Sequence, residues 1–163
     1  MSTSTTLGPG TTWSGPLISG TKKDADANGP ANTGLAVLSQ RVTVTYAAGA
    51  IATASAVLPA GSQIVDIYAD TTTAWDTGGT TPVANLTVGA TVGGTDYVPA
   101  ESVLTAGRAA IAFTGAELEA MQNIGTNTTV YATVTQSAAS GLVDATAGST
   151  TVTFLYIQTV QTS

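Results

Sequence analysis

The chain has 163 residues, enough for one domain with a sizeable buried core, and only 9% of them are charged against the usual quarter. Four basic residues against ten acidic ones leave a formal net charge of -6, which excludes the Lys/Arg patch that nucleic-acid binding needs. With no cysteine and no histidine, disulfides, thiol chemistry, the usual general base and the commonest metal ligand are all removed.

Residues 1–34 are rich in Ser, Thr, Gly and Pro, a composition that cannot build a packed core alone. Met1 to Thr6 has neither a basic region nor an apolar run, so no Sec signal peptide is expected. The apolar spots are Leu7, Trp13, Leu17 and Ile18, and an exposed Trp in such a segment is wasteful unless a partner buries it. Two readings fit this composition equally, a disordered tail or an extended N-terminal arm over 1–34 anchored on a partner through Trp13, Leu17 and Ile18, and the arm is carried forward, followed by a sandwich domain over 35–163.

From Leu35 the pattern turns to period two. Ala36, Leu38, Val42, Val44 and Tyr46 fall on one face and Ser39, Arg41, Thr43 and Thr45 on the other, which predicts a half-buried strand. Ile51 to Leu58 predicts an Ala-rich strand that lets a neighbouring layer approach closely, and Pro59-Ala60-Gly61 a turn. Ser62 to Thr72 predicts a long strand, with Val65, Ile67 and Ala69 on one face and Ile64, Asp66, Tyr68 and Asp70 on the other. The second face mixes apolar and acidic groups and is expected to be the outer, interfacial one. Trp75 closes this strand with an aromatic corner before a loop from Asp76 to Pro82.

Ala84, Leu86 and Val88 alternate with Asn85 and Thr87 in a short strand, and Gly93-Gly94-Thr95-Asp96-Tyr97-Val98-Pro99 reads as a hairpin-like turn into the next. Arg108 to Phe113 predicts a strand with Ala109, Ile111 and Phe113 inward. Thr114-Gly115-Ala116-Glu117 matches a capping box and opens a short helix, with Leu118 and Met121 on its apolar side. Thr128 to Gln136 is a strand with Val130, Ala132 and Val134 inward. Thr150 to Val160 is apolar on both faces around 154–157, as a central strand or one pressed on another subunit would be. The fold class this predicts is all-β: an antiparallel β-sandwich or jelly roll of roughly eight strands with one short helix. No apolar run approaches the roughly 20 residues of a membrane span, so no membrane partner is expected.

Chemistry is sparse. Asp66 and Asp70 stand roughly 13 Å apart along a strand, too far for the roughly 5–9.5 Å of a glycosidase pair. Asp24, Asp26 and Asn28 echo the start of a calcium loop, but Gly34, Leu35 and Ala36 stand where the bidentate Glu belongs. A Ser or Thr nucleophile would lack a base, since the lysines lie only in the N-terminal segment. The expectation is a non-enzymatic protein with no catalytic residues, no metal and no cofactor.

The run Leu58 to Trp75, followed after a Gly/Thr loop by Asn85-Leu86-Thr87-Val88-Gly89, resembles small virion proteins of tailed bacteriophages: capsid decoration or cement proteins and related head-fibre bases. The resemblance implies a sandwich or jelly-roll body and a homo-oligomer, with a trimer favoured. It implies a major capsid protein as partner, on the virion's outer capsid surface after synthesis in the host cytoplasm. The candidate contact residues are then Trp13, Leu17, Ile18, Ile64, Asp66, Tyr68, Asp70 and Trp75. The alternative is a carbohydrate- or receptor-binding module of a fibre or adhesin, with sugars stacked on Trp75 and Tyr97 beside Asp76 and Asp96.

Overall fold

A computed structural model of the chain describes residues 35–47, 51–75, 83–137 and 147–159. The expected arm over 1–34, with Trp13, Leu17 and Ile18, lies outside the described residues, as do Asp76 and the Asp24–Asn28 motif. Residues Val37–Gln158 form one compact unit.

Its elements are β1 (Leu35–Thr45), β2 (Ile51–Leu58), β3 (Ser62–Thr73), β4 (Val83–Gly89), β5 (Val98–Ser102), β6 (Gly107–Arg108), α1 (Gly115–Met121), β7 (Thr128–Ser137) and β8 (Ser149–Thr159). They build two four-stranded sheets, ordered β1-β8-β3-β6 and β2-β7-β4-β5. The all-β sandwich expected from period-two patterning is the observed architecture.

The order is that of a jelly roll. Strands β1 and β8, β2 and β7, β3 and β6, and β4 and β5 are neighbours, as if one long hairpin had been rolled up. Each such pair joins segments on opposite sides of the Gly93-Gly94 turn, such as Ile51 with Thr135 and Val88 with Val98. At the tip Gly93 has φ +76°, a conformation that favours glycine, Gly94 N–H donates to Thr91 O at 2.9 Å, and Tyr97 N–H to Val88 O at 2.9 Å.

The core lies between the sheets. Ile67, Val152 and Phe154 from one sheet meet Leu58, Leu86, Val130 and Val134 from the other in a single apolar cluster. On β2 the inward residues are Ala52, Ala54, Ala56 and Leu58, so small side chains line this part of the interior. Strand β8 sits between β1 and β3, the central position its sequence suggested, with Val152, Phe154 and Tyr156 in the core and Leu155 and Ile157 half-buried on the outer face.

Three local readings of the sequence are corrected. In β3 the register slips between Ile64 and Asp66: Ile64 pairs with Tyr156, yet Asp66 pairs with Leu155. This bulge leaves Ile64 in the core at 3% exposed and turns Val65 outward at 50%. Ile64 is therefore not on the outer face with Asp66, Tyr68 and Asp70; Val65 takes its place. Second, the strand expected from Arg108 to Phe113 shrinks to two residues. Ala109 N–H still donates to Ala69 O at 2.9 Å, after which the backbone leaves the ladder while Ile111 and Phe113 keep packing on the core. The inward alternation was real; the pairing was not.

Third, the helix forms where the capping box placed it, with Thr114 N–H donating to Glu117 Oε2 at 2.6 Å. Its buried side carries Glu117 and Met121, however, and Leu118 is 48% exposed. Glu117 folds back to cap the first turn, and it is Glu117 with Met121, rather than Leu118 with Met121, that lies on the covered side of the helix.

Candidate functional site

The outer face of the β1-β8-β3-β6 sheet holds most of the described candidate residues. Because strand side chains alternate, Val37, Ser39, Arg41, Thr43 and Thr45 of β1 face outward beside Thr151, Thr153, Leu155 and Ile157 of β8. Strand β3 adds Val65, Asp66, Tyr68 and Asp70, and β6 adds Arg108.

A linked polar group crosses this face. Arg108 donates to both oxygens of Asp70, Nε to Oδ1 at 2.8 Å and a terminal nitrogen to Oδ2 at 3.0 Å. The same guanidinium lies 4.9 Å from the centre of the Tyr68 ring, within cation–π range. The hydrogen bond from Arg108, then its positive charge, holds the Asp70 carboxyl below its ordinary range, and Asp70 in turn raises the Arg108 pKa. The negative charge of nearby Asp66 raises the Tyr68 hydroxyl. Asp66 Oδ1 also accepts the Ile67 N–H at 2.8 Å, tying down the backbone at the bulge. Each of the two aspartates thus has its own local partners. Across the sheet, Arg41 Nε donates to Thr153 Oγ1 at 3.2 Å, and the Thr43 and Thr151 hydroxyls are 3.1 Å apart.

The apolar part of the face is Val37, 67% exposed, and Val65, with half-buried Leu155 and Ile157 on the strand between theirs. Sequence reasoning found Asp66, Tyr68 and Asp70 but missed Val65, Arg41 and Arg108. One signal was available: in so acidic a chain, two isolated arginines at period-two outward positions stand out.

Trp75 corrects a second expectation. It is 1% exposed and cannot serve as a partner-contact residue. Its Nε1–H donates to Thr150 Oγ1 at 2.8 Å, and Thr150 and Thr71 share a hydroxyl hydrogen bond at 3.0 Å, so a buried polar chain satisfies the indole. Room for the ring comes from Gly148, where an added Cβ would overlap the indole. Tyr97 is buried as well, and that burial raises its hydroxyl pKa, while Asp96 Oδ2 accepts the Ala90 N–H at 2.8 Å. The stacking platform considered for a sugar therefore offers no exposed ring at Trp75 or Tyr97.

Among the described residues no group of three or more carboxylates could hold a metal ion, and no helix is long and apolar enough to cross a membrane. Set against known proteins, the chain matches no family model, no curated protein and no solved structure.

Proposed function

We propose that this chain is a structural subunit of a tailed-phage virion that binds the outer surface of the assembled capsid and stabilises it without catalysing a reaction. The observation that carries the reading is the outer face of the β1-β8-β3-β6 sheet. It presents Val37, Val65, Tyr68, Arg41 and Arg108 on a regular scaffold, with no Lys or Glu among its outward residues. Interface cores favour aromatic and Arg side chains and are depleted in Lys, Glu, Asp and Ser; of the Asp and Ser on this face, Asp70 is neutralised by its pair with Arg108, and Asp66 and Ser39 remain beside the apolar residues. The jelly roll agrees with this, being an architecture that capsid proteins, lectins and cupins share, so the fold alone does not choose among them. The resemblance of the Leu58–Gly89 stretch to capsid decoration proteins chooses the capsid.

In this reading the major capsid protein is the partner and the subunit acts as a homo-oligomer, a trimer being favoured. Stabilisation follows from mass action: a ligand of the assembled shell with no affinity for loose subunits shifts the equilibrium toward the shell. A glycan-binding fibre module is the weaker reading, because Trp75 and Tyr97 are buried. The test is co-sedimentation of the purified chain with shells of the phage that encodes it and with their unassembled subunits. Saturable binding to shells alone is expected; binding to neither rejects the proposal.

A further inference from the structure

We propose that the outer face of the other sheet, β2-β7-β4-β5, carries a separate site in which Tyr131 and Asp96 bind one sugar residue of a neutral glycan. The site lies on the side of the sandwich away from the face assigned to the capsid, and it stands whether or not the capsid reading holds.

Strand alternation sets its floor. Val130, Ala132 and Val134 of β7 lie in the core, so Tyr131 points to the opposite side, where it is half-buried. Its register partners are Ser55 on β2 and Gly89 on β4, one small side chain and none at all, so neither neighbour in its row covers the ring. Among the described outward positions of β2, β7 and β4 there is no charged side chain, and Tyr131 is the one aromatic.

The connection between β4 and β5 supplies a wall. It folds over the same face: Gly93 N–H donates to Thr133 Oγ1 at 3.0 Å, and Thr133 and Thr87, both at outward positions, are buried. Asp96 Oδ2 stands 2.7 Å from where a Cβ on Gly89 would sit. Gly89 faces Tyr131 in register, and the Cβ positions of such a pair are about 4.5–5.5 Å apart, so the carboxylate lies within about 8 Å of the Tyr131 Cβ. Oδ2 accepts the Ala90 N–H, which fixes the orientation of the group. Oδ1 accepts no hydrogen bond among the described residues, and Asp96 is exposed.

This pairing selects its ligand. One face of a pyranose presents C–H groups, slightly positive, to the negative face of an aromatic ring. The hydroxyls on its rim donate to a carboxylate in hydrogen bonds strengthened by the charge. A protein partner fits less well, because the exposed apolar residues Ile51 and Val57 are held apart on β2 by Thr53 and Ser55 and form no contiguous apolar centre. The sugar is neutral because a uronate or sialate would meet Asp96 with no basic side chain on these strands to offset the repulsion. Tyr131 thus takes the stacking role that burial denies to Trp75 and Tyr97.

The experiment is a titration of the full chain, followed by its backbone amide NMR signals, with lactose, maltotriose, mannotriose and chitotriose. The acidic counterpart of whichever sugar binds follows, 3′-sialyllactose in the case of lactose. At least one neutral sugar is expected to bind saturably with a Kd of about 1 mM or tighter. The shifted signals are expected at Ser55, Tyr131, Gly94 and Asp96 and not on β1 or β8. Tyr131→Leu is expected to weaken binding at least about tenfold, while Tyr131→Phe, which keeps the ring, retains it. Asp96→Asn is expected to weaken it at least about threefold, and Leu118→Ala, exposed on the helix, to match wild type. Far-UV circular dichroism establishes that each variant is folded. Binding of none of the neutral sugars, an acidic counterpart bound as tightly, or a Tyr131→Leu protein that binds as wild type does overturns the site. A chain that saturates phage shells but binds no sugar overturns this site alone, whereas one that binds sugar but ignores shells overturns the capsid reading alone.

Discussion

Replacing Gly148 by alanine tests the Trp75 corner most sharply. Three atoms of the indole stand where the new Cβ would go. The backbone cannot retreat freely, because Gly148 O accepts the Tyr46 N–H at 2.8 Å. The ring cannot slide freely either, because Nε1 is held by Thr150 at 2.8 Å and the Trp75 N–H donates to Val103 O at 3.3 Å. Overpacking of this kind costs about 1–3 kcal/mol. A Gly→Ala change returns about 0.4–1 kcal/mol by restricting the unfolded chain. The clash wins, and the net loss of about 1–2 kcal/mol corresponds to a fall in Tm of roughly 2–8 °C for a chain of this size. Trp75→Ala alone costs about 3–5 kcal/mol. In that background the clash has no partner, so Gly148→Ala becomes neutral or mildly stabilising, and the double mutant is less destabilised than the sum of the singles by at least about 1 kcal/mol. Urea unfolding of the four proteins reads this coupling. A Gly148→Ala protein as stable as wild type, or effects that simply add, refutes the account of the corner.

The helix orientation is checked by Met121→Ala, expected to cost about 2–5 kcal/mol, against Leu118→Ala, expected within about 0.5 kcal/mol of wild type in the same denaturant titration. Glu117→Ala leaves the Thr114 N–H without its carboxylate and is expected to cost about 1–3 kcal/mol. The Asp70 carboxyl titrates below its ordinary value because Arg108 bonds it, so its small contribution to stability is present above the unfolded pKa and is lost as pH falls through the folded one. Arg108→Ala is expected to move that titration up toward the ordinary value, followed by the Asp70 carboxyl carbon in NMR; an unmoved titration contradicts the assigned cause.

The fold was legible where one face of a strand is buried. In β7, Val130, Ala132 and Val134 point inward as their spacing requires, and β8 is central as its two apolar faces imply. The hairpin at Gly93-Gly94 was legible too, because a positive φ calls for glycine. What escaped was set at long range. Nothing near Val65 in sequence announces the bulge, which arises in pairing with Tyr156 and Leu155 some ninety positions on. Trp75 reads as a corner beside a Gly/Thr loop, and Thr150, 75 positions on, satisfies its indole while Gly148 makes room for the ring. The candidate face was half legible: Asp66, Tyr68 and Asp70 follow from period two, but Arg108 joins them through a two-residue strand too short to carry a pattern of its own.

The measurement that bears most directly on the proposed function is the melting of purified phage shells by scanning calorimetry, with and without the chain at saturation. Shells that lack the chain are expected to melt lower, and adding it back is expected to raise the transition until a fixed stoichiometry per shell is reached. Shells that bind the chain yet melt unchanged would contradict the stabilising role, and shells that fail to bind it would contradict the capsid as partner.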